Sequence, residues 1–190
     1  MKTGLFFGSF NPIHVGHLVI AEFMATRTDL DEVWIVVSPQ NPLKEKKSLA
    51  NNFDRLHLVR LAVEGNTKLQ VSDIEFNLPI PSYTIDTLTY LREKHPTREF
   101  ALIMGGDNLC SLPKWKNYEI LLRDYPIYVY NRPNYADCPL KTHPNIQFFD
   151  APLMDISATF IRKSIKNGQS IRYLVPNNVN EEILQSGMYR

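Results

Sequence analysis

The sequence predicts an α/β fold: a parallel sheet with helices on both faces, in one domain covering residues 1–190. Three observations predict it. Short apolar runs rich in β-branched and aromatic residues alternate with longer stretches of helical spacing along the whole chain. The length of 190 residues suits one domain with a sizeable core, and no internal repeat or Pro/Gly-rich linker divides it. The glycines, histidines, hydroxyls and basic residues that look unusual follow the apolar runs rather than precede them.

Taken in order, "TGLFF" (3–7) is a short buried strand, and Val15 to about Thr28 has helical spacing with Leu18, Ala21 and Ala25 in one line. "EVWIVV" (32–37) is a second strand, and "RLHLVRLAV" (55–63) a helix with Leu56, Val59 and Val63 on one face. "KLQVSDIEF" (68–76) predicts one or two short strands. "YTIDTLTYLREK" (83–94) is a helix with Ile85, Leu88 and Leu91 three apart, and Asp86 stands where a helix start favours negative charge. "EFALIM" (99–104) and "YPIYVY" (125–130) are strands with helix "YEILLRD" between them; "NIQFFD" (145–150) is the last strand, followed by helices at 158–167 and 177–186. Two irregular stretches, 38–52 and 131–144, are longer than connections in a compact domain usually are, a length typical of lids, binding loops or surface insertions.

Composition bounds the function. Charged residues make up 22% and the hydrophobic set 44%, as in a water-soluble globular protein. A formal net charge of +1 supplies no global field for nucleic acid or membrane, so any anion site must be local. Two cysteines, Cys110 and Cys138, are too few for a disulfide framework and read as reduced thiols of a cytoplasmic protein. The opening "MKTGLFFGSF" is too short for a secretory apolar region, and no run reaches the length of a membrane span.

In an open parallel sheet, ligands bind beyond the carboxyl ends of the strands, and this Rossmann-like arrangement sends six unusual segments to that edge. They are residues 8–17, the lysine-rich stretch from Ser38, "PSYT" (81–84), "GGD" (105–107), "NRP" (131–133) and "DISATFIR" (155–162). In "GSFNPIHVGH", Gly8 ends a strand where backbone must come close to a ligand, and Pro12 stiffens the turn. The helix opening at Val15 or Gly16 offers free N–H groups and a dipole to an anion. His14 and His17 lie on one side of that first turn, where each imidazole can donate to a phosphate oxygen, and Gly16 between them leaves room for the phosphate. A helix cap would need only one such residue. Metal ligation would need a third ligand, and His57, His95 and His143 stand in unrelated contexts. The stretch is neither a Walker A loop nor a dinucleotide G-x-G-x-x-G turn.

In "DISATFIRKSI", Ser157 predicts an N-cap with Thr159 just inside the helix. Phe160, Ile161 and Ile165 are assigned to the core, with Arg162 and Lys166 facing outward together. Arg162, one turn from exposed backbone N–H groups, can hold the same phosphate chain as the histidine turn. A solvated basic helix face is the alternative for this stretch taken alone.

"GSFNPIHVGH" resembles the G-x-F-x-P-x-H-x-G-H signature of the nucleotidyltransferase superfamily, and "ISATFIR" its I-S-x-T-x-x-R signature. "SYTIDTL", "LIMGGDNLCSLPKWKNYEIL" and "YLVPNNV…GMY" resemble the bacterial nicotinate-nucleotide adenylyltransferases, so the likeness runs from Gly4 to Tyr189. It implies adenylyl transfer from ATP to nicotinate mononucleotide, giving nicotinate adenine dinucleotide and pyrophosphate in NAD biosynthesis, with Mg²⁺ accompanying the ATP. It implies His14, His17 and Arg162 as catalytic phosphate contacts. Gly8, Ser9, Phe10, Gly16, Gly105, Asp107, Ser157 and Thr159 would serve ATP, with the Asp107 carboxylate accepting from a ribose hydroxyl. Thr84 and Trp115 would surround the pyridine, and Lys44 and Arg132 would contact substrate phosphate. No protein-bound metal site is expected; a homo-oligomer is compatible with the sequence. Two stretches depart from the family pattern: Leu43 stands where a histidine is usual, with Lys44 keeping a cation, and "NLPIP" replaces an arginine-glycine lead before "SYT". The alternatives are a related enzyme acting on nicotinamide mononucleotide and a catalytically idle nucleotide-binding module.

Overall fold

The computed structural model describes residues 1–39, 49–131 and 139–190. Six strands form one sheet: β1 (Lys2–Gly8), β2 (Glu32–Val37), β3 (Leu69–Ser72), β4 (Glu99–Gly105), β5 (Ile127–Tyr130) and β6 (Ile146–Phe149). Their order is β3-β2-β1-β4-β5-β6, and every pairing is parallel. The chain works outward from β1 to one edge and then from β4 to the other, the Rossmann-like doubly wound order, which opens a crevice between β1 and β4. Gly8 pairs with Val37 of β2. Phe6 pairs with Ile103 of β4, so Gly8 and Gly105 finish neighbouring strands at the same level.

Strand alternation divides the core into two layers. Phe6, Ile35, Ile103 and Tyr128 face helices α1 (Val15–Arg27), α2 (Asn52–Val63), α6 (Ala158–Lys166) and α7 (Asn177–Ser186). Leu5, Val36, Leu102 and Ile127 face α3 (Thr84–Lys94), α4 (Gly106–Ser111) and α5 (Tyr118–Asp124). The predicted helix faces are the buried ones: Leu56, Val59 and Val63 on α2, and Ile85, Leu88 and Leu91 on α3, are all nearly inaccessible.

Three expectations need correction. The second half of "KLQVSDIEF" is a 3₁₀ turn, Ile74–Asn77, because Glu75 turns inward to be held by hydroxyls rather than extending a strand. A short helix, α4, directly follows β4, where the sequence showed only the "GGD" turn. On α6, Ile161 is buried and Ile165 packs against the core, but Phe160 is 54% exposed and its expected place is taken by Ser164.

Candidate active site

The turn between β1 and α1 is built around two glycines that make room for rings. Phe10 adopts φ 43, a left-handed conformation uncommon outside glycine, and its ring folds back over Gly8. A Cβ on Gly8 would lie 2.8 Å from Cζ of that ring. The Phe10 side chain is thus part of the core, set edge-on to Phe6 at 5.8 Å and to His17 at 5.1 Å, and only its backbone is left to meet a nucleotide. The close approach that requires glycine at position 8 is this ring.

His14 caps α1 with extended backbone, φ −145, and is buried. Its ring stacks on that of His17, with centroids 3.6 Å and planes 26° apart. The His14 N–H donates to His17 Nδ1 at 3.3 Å, so in the neutral His17 ring the proton resides on Nε2. A Cβ on Gly16 would lie 3.1 Å from His14 Nδ1, so this glycine is first of all a seat for the imidazole. The anion-binding capacity of the helix start is narrower than the sequence implied. The Val15 N–H donates to the Leu174 carbonyl at 3.0 Å and the His17 N–H to the His14 carbonyl at 2.9 Å. Among the described residues, Gly16 is the first-turn amide left without a backbone acceptor.

The C-terminal motif comes to the same turn. Ser157 caps α6 as expected, its Oγ accepting from the Phe160 N–H at 3.1 Å. Arg162 does not face outward beside Lys166. Its Nη1 donates to the Asn11 carbonyl at 2.7 Å, and its Nη2 to Thr159 Oγ1 at 3.3 Å. One guanidinium thereby joins the histidine turn to the exposed first turn of α6, and Met154 lies over Gly16 from the same side.

Gly105 ends β4 beside this turn, and Asp107 folds back over it: a Cβ on Gly105 would lie 2.5 Å from Asp107 Oδ1. Thr84 opens α3, and Trp115 follows the turn after α4. Lys116, the residue after Trp115, reaches the start of α3: its Nζ binds Asp86 at 2.8 Å and lies 4.8 Å over the Tyr83 ring. Trp115 packs against the second core layer, yet its indole N–H is buried with no acceptor among the described residues. Lys44 and Arg132 lie outside the described residues, as does Cys138; Cys110 is exposed. Among the described residues, no three His, Cys, Asp or Glu side chains gather as a metal site, and no helix is long and apolar enough to cross a membrane.

Three contributors were not read from the sequence. Arg55 of α2 is fully buried and donates to the carbonyls of Ser9, Ser38 (2.9 Å), Pro39 (3.5 Å) and Ala50 (3.2 Å), and to Asn52 Oδ1 (2.7 Å). Among the described residues it faces no carboxylate, and burial pushes its pKa down from the ordinary value. Glu75, 2% exposed, accepts from Ser82 Oγ at 3.0 Å and Thr87 Oγ1 at 2.9 Å. Tyr189 brings the C-terminus to Arg55 and Arg162, whose charges oppose the upward push of burial on its phenol. In sequence, Arg55 looks like an ordinary helix-surface charge and Glu75 like a charge on a short strand, and no local pattern marks their partners.

Residues 5–164 match the cytidylyltransferase-like family. A Cytophaga hutchinsonii protein named "Probable nicotinate-nucleotide adenylyltransferase" is 55% identical over 189 residues, covering 100% of this chain and 98% of that one. A Bacteroides fragilis protein of the same name is 45% identical, covering 97% of this chain and 92% of its own. Among solved structures, Plasmodium falciparum nicotinic acid mononucleotide adenylyltransferase complexed with NaAD superposes with a TM-score of 0.84 at 20% identity, covering 99% of this chain and 97% of that one, which shows a shared fold. The chain therefore belongs to the cytidylyltransferase-like family and, within it, to the nicotinate-nucleotide adenylyltransferases.

Proposed function

We propose that the protein transfers the adenylyl group of ATP to nicotinate mononucleotide, forming nicotinate adenine dinucleotide and pyrophosphate. The observation that carries this reading is the Arg162 bridge to Asn11, which unites the two phosphate-binding motifs of the chain at the mouth of the β1–β4 crevice. The names of the relatives at 45–55% identity over nearly the whole chain support the choice of acceptor.

In this reading a phosphate oxygen of the mononucleotide attacks the α-phosphorus of ATP in line. The new O–P bond forms as the bond to the bridging oxygen breaks, and that electron pair leaves with pyrophosphate. The attacking phosphate is already an anion at neutral pH, so no strong base is needed; the barrier lies in bringing two anions together and stabilising charge on the leaving group. His17 and His14 donate to the phosphates, held by their stack and by Phe10. Arg162 neutralises the leaving end. Arg55 adds a buried positive charge behind the turn. Gly105 and Asp107 receive the nucleoside, and Thr84 with the Trp115 indole receives the pyridine end.

Mg²⁺ would accompany the triphosphate and spread its charge. Among the described residues Asp107 offers a carboxylate at the crevice and no three metal-ligating side chains gather, and a cation held chiefly by phosphate oxygens and water fits that donor set. The test is ATP-dependent pyrophosphate release at matched Mg²⁺ with nicotinate mononucleotide, nicotinamide mononucleotide and phosphopantetheine in parallel. Turnover is expected with the pyridine acid in preference to its amide. Release that no acceptor stimulates would overturn the reading.

A further inference from the structure

The segment 81–87 carries the residues assigned to the pyridine substrate, but it contains few restraints of its own. It follows "NLPIP", and Pro81 is exposed beside an Ile80 that is 58% exposed. Beside the exposed Lys116 bridge to Asp86 and the buried Ile85, what fastens it from within is one buried carboxyl. Glu75 sits on the 3₁₀ turn after β3 and accepts from Ser82 Oγ at 3.0 Å and from Thr87 Oγ1 at 2.9 Å. These two donors flank Tyr83 and Thr84, the cap and first residue of α3. Ser82, Glu75 and Thr87 are all buried, at 7%, 2% and 0% exposure, so water cannot replace a lost partner.

The same carboxyl also receives the Ser38 side chain from the end of β2. The Ser38 carbonyl accepts from Arg55 at 2.9 Å, Arg55 also donates to the Ser9 carbonyl, and the Ser38 N–H donates to the Gly8 carbonyl at 2.9 Å. A continuous polar path thus runs from the phosphate turn through Arg55 and Ser38 to Glu75 and on to the start of α3.

We propose that Glu75 is a positioning residue: it fixes the acceptor segment 81–87 against the end of β2 and, through Ser38 and Arg55, in register with the phosphate turn. The inference rests on the functional reading above and deepens it. Glu75 touches no substrate; it sets where Thr84 and the α3 N-terminus present their donors. An acceptor phosphate must meet the α-phosphorus in line, and a displacement of the acceptor segment weakens binding of the mononucleotide before it affects ATP.

The test is steady-state pyrophosphate release for wild type, Glu75→Gln and Thr87→Val, titrating each substrate separately, with the melting temperature of each protein recorded. The glutamine replaces one acceptor oxygen with a donor and leaves a buried hydroxyl unpaired, which corresponds to about a tenfold rise in KM for the mononucleotide. Thr87→Val removes one donor without changing shape and is expected to act in the same direction with a smaller effect, so the test stands if the glutamine variant does not fold. In both, KM for ATP is expected to stay within about twofold, because the phosphate turn keeps its Arg55 clamp. A purely structural Glu75 would lower the melting temperature and the active fraction while leaving both KM values unmoved, and that result overturns the proposal. Wild-type protein that turns over neither pyridine mononucleotide overturns the functional reading and the proposal with it; wild-type turnover with unmoved KM values in the variants overturns the proposal alone.

Discussion

Nη1 of Arg162 lies 2.7 Å from the carbonyl oxygen of Asn11, a contact between residues 151 positions apart in the chain. It means that the helix start at the C-terminal end of the domain and the histidine turn at the N-terminal end are parts of one surface. In the proposed reading, a triphosphate too long for either motif alone is held by both.

Within that surface His17 is the donor best fixed in direction. Its ring is pinned by the His14 stack, by the Phe10 edge and by the hydrogen bond to Nδ1. His17→Ala is expected to lower kcat on the order of a hundredfold or more, with little change in KM for ATP, because a preorganised donor to transition-state charge is lost. Pyrophosphate release checks this, and an unchanged kcat would remove His17 from the mechanism.

Gly16→Ala separates activity from stability. Alanine favours a helix over glycine by about 1 kcal/mol, but its Cβ would stand 3.1 Å from His14 Nδ1, so that the imidazole must give by a few tenths of an ångström and lose its fixed direction. The expected outcome is a melting temperature unchanged or raised together with a kcat reduced about tenfold. A variant with full activity would show that the imidazole pair tolerates displacement.

Arg55 holds four backbone carbonyls and one side-chain oxygen with no carboxylate facing it among the described residues. Arg55→Met leaves those acceptors buried and unpaired, and a loss of about 3–5 kcal/mol is expected in urea denaturation. Arg55→Lys keeps the charge but not the fork, and should fall between wild type and methionine. A methionine variant within about 1 kcal/mol of wild type would mean that the turn holds itself.

The stability of the fold should carry a signature of Glu75. Burial pushes its carboxyl above the ordinary value of 4.5, and the hydroxyls of Ser38, Thr87 and Ser82 oppose that push. A carboxyl whose folded pKa is raised binds its proton more tightly in the native state. Its contribution is therefore fully present below pH 4.5 and is lost as the pH rises through the folded value. Denaturation of wild type and Glu75→Gln at several pH values upward from 4.5 should show the wild-type advantage shrinking as pH rises. An advantage that grows with pH would reverse the assignment.

Much of this was legible in the sequence, for identifiable reasons. The β2 span 32–37 and the α7 span 177–186 were read to the residue, since a β-branched apolar run and a bounded amphipathic stretch leave little choice of period. The histidine turn and the Ser157 cap were legible because their chemistry is local. Arg162 was misread as outward-facing for the opposite reason. Helical periodicity assigns charges to solvent, and only the tertiary fold supplies the Asn11 carbonyl that draws this one inward. Arg55 and Glu75 were missed on the same ground: their partners come from up to 46 residues away, and a buried charge looks no different in sequence from an exposed one. The burial of the Phe10 ring in the core was not legible either, since the motif fixes the residue type and not where its side chain turns.

The convergence of both motifs on one triphosphate is tested most directly by a crystal structure of the protein with a non-hydrolysable ATP analogue. The expected result is a single phosphate chain within hydrogen-bond distance of both the His17 imidazole and the Arg162 guanidinium. A bound triphosphate that touches one of these groups and lies clear of the other would contradict the account.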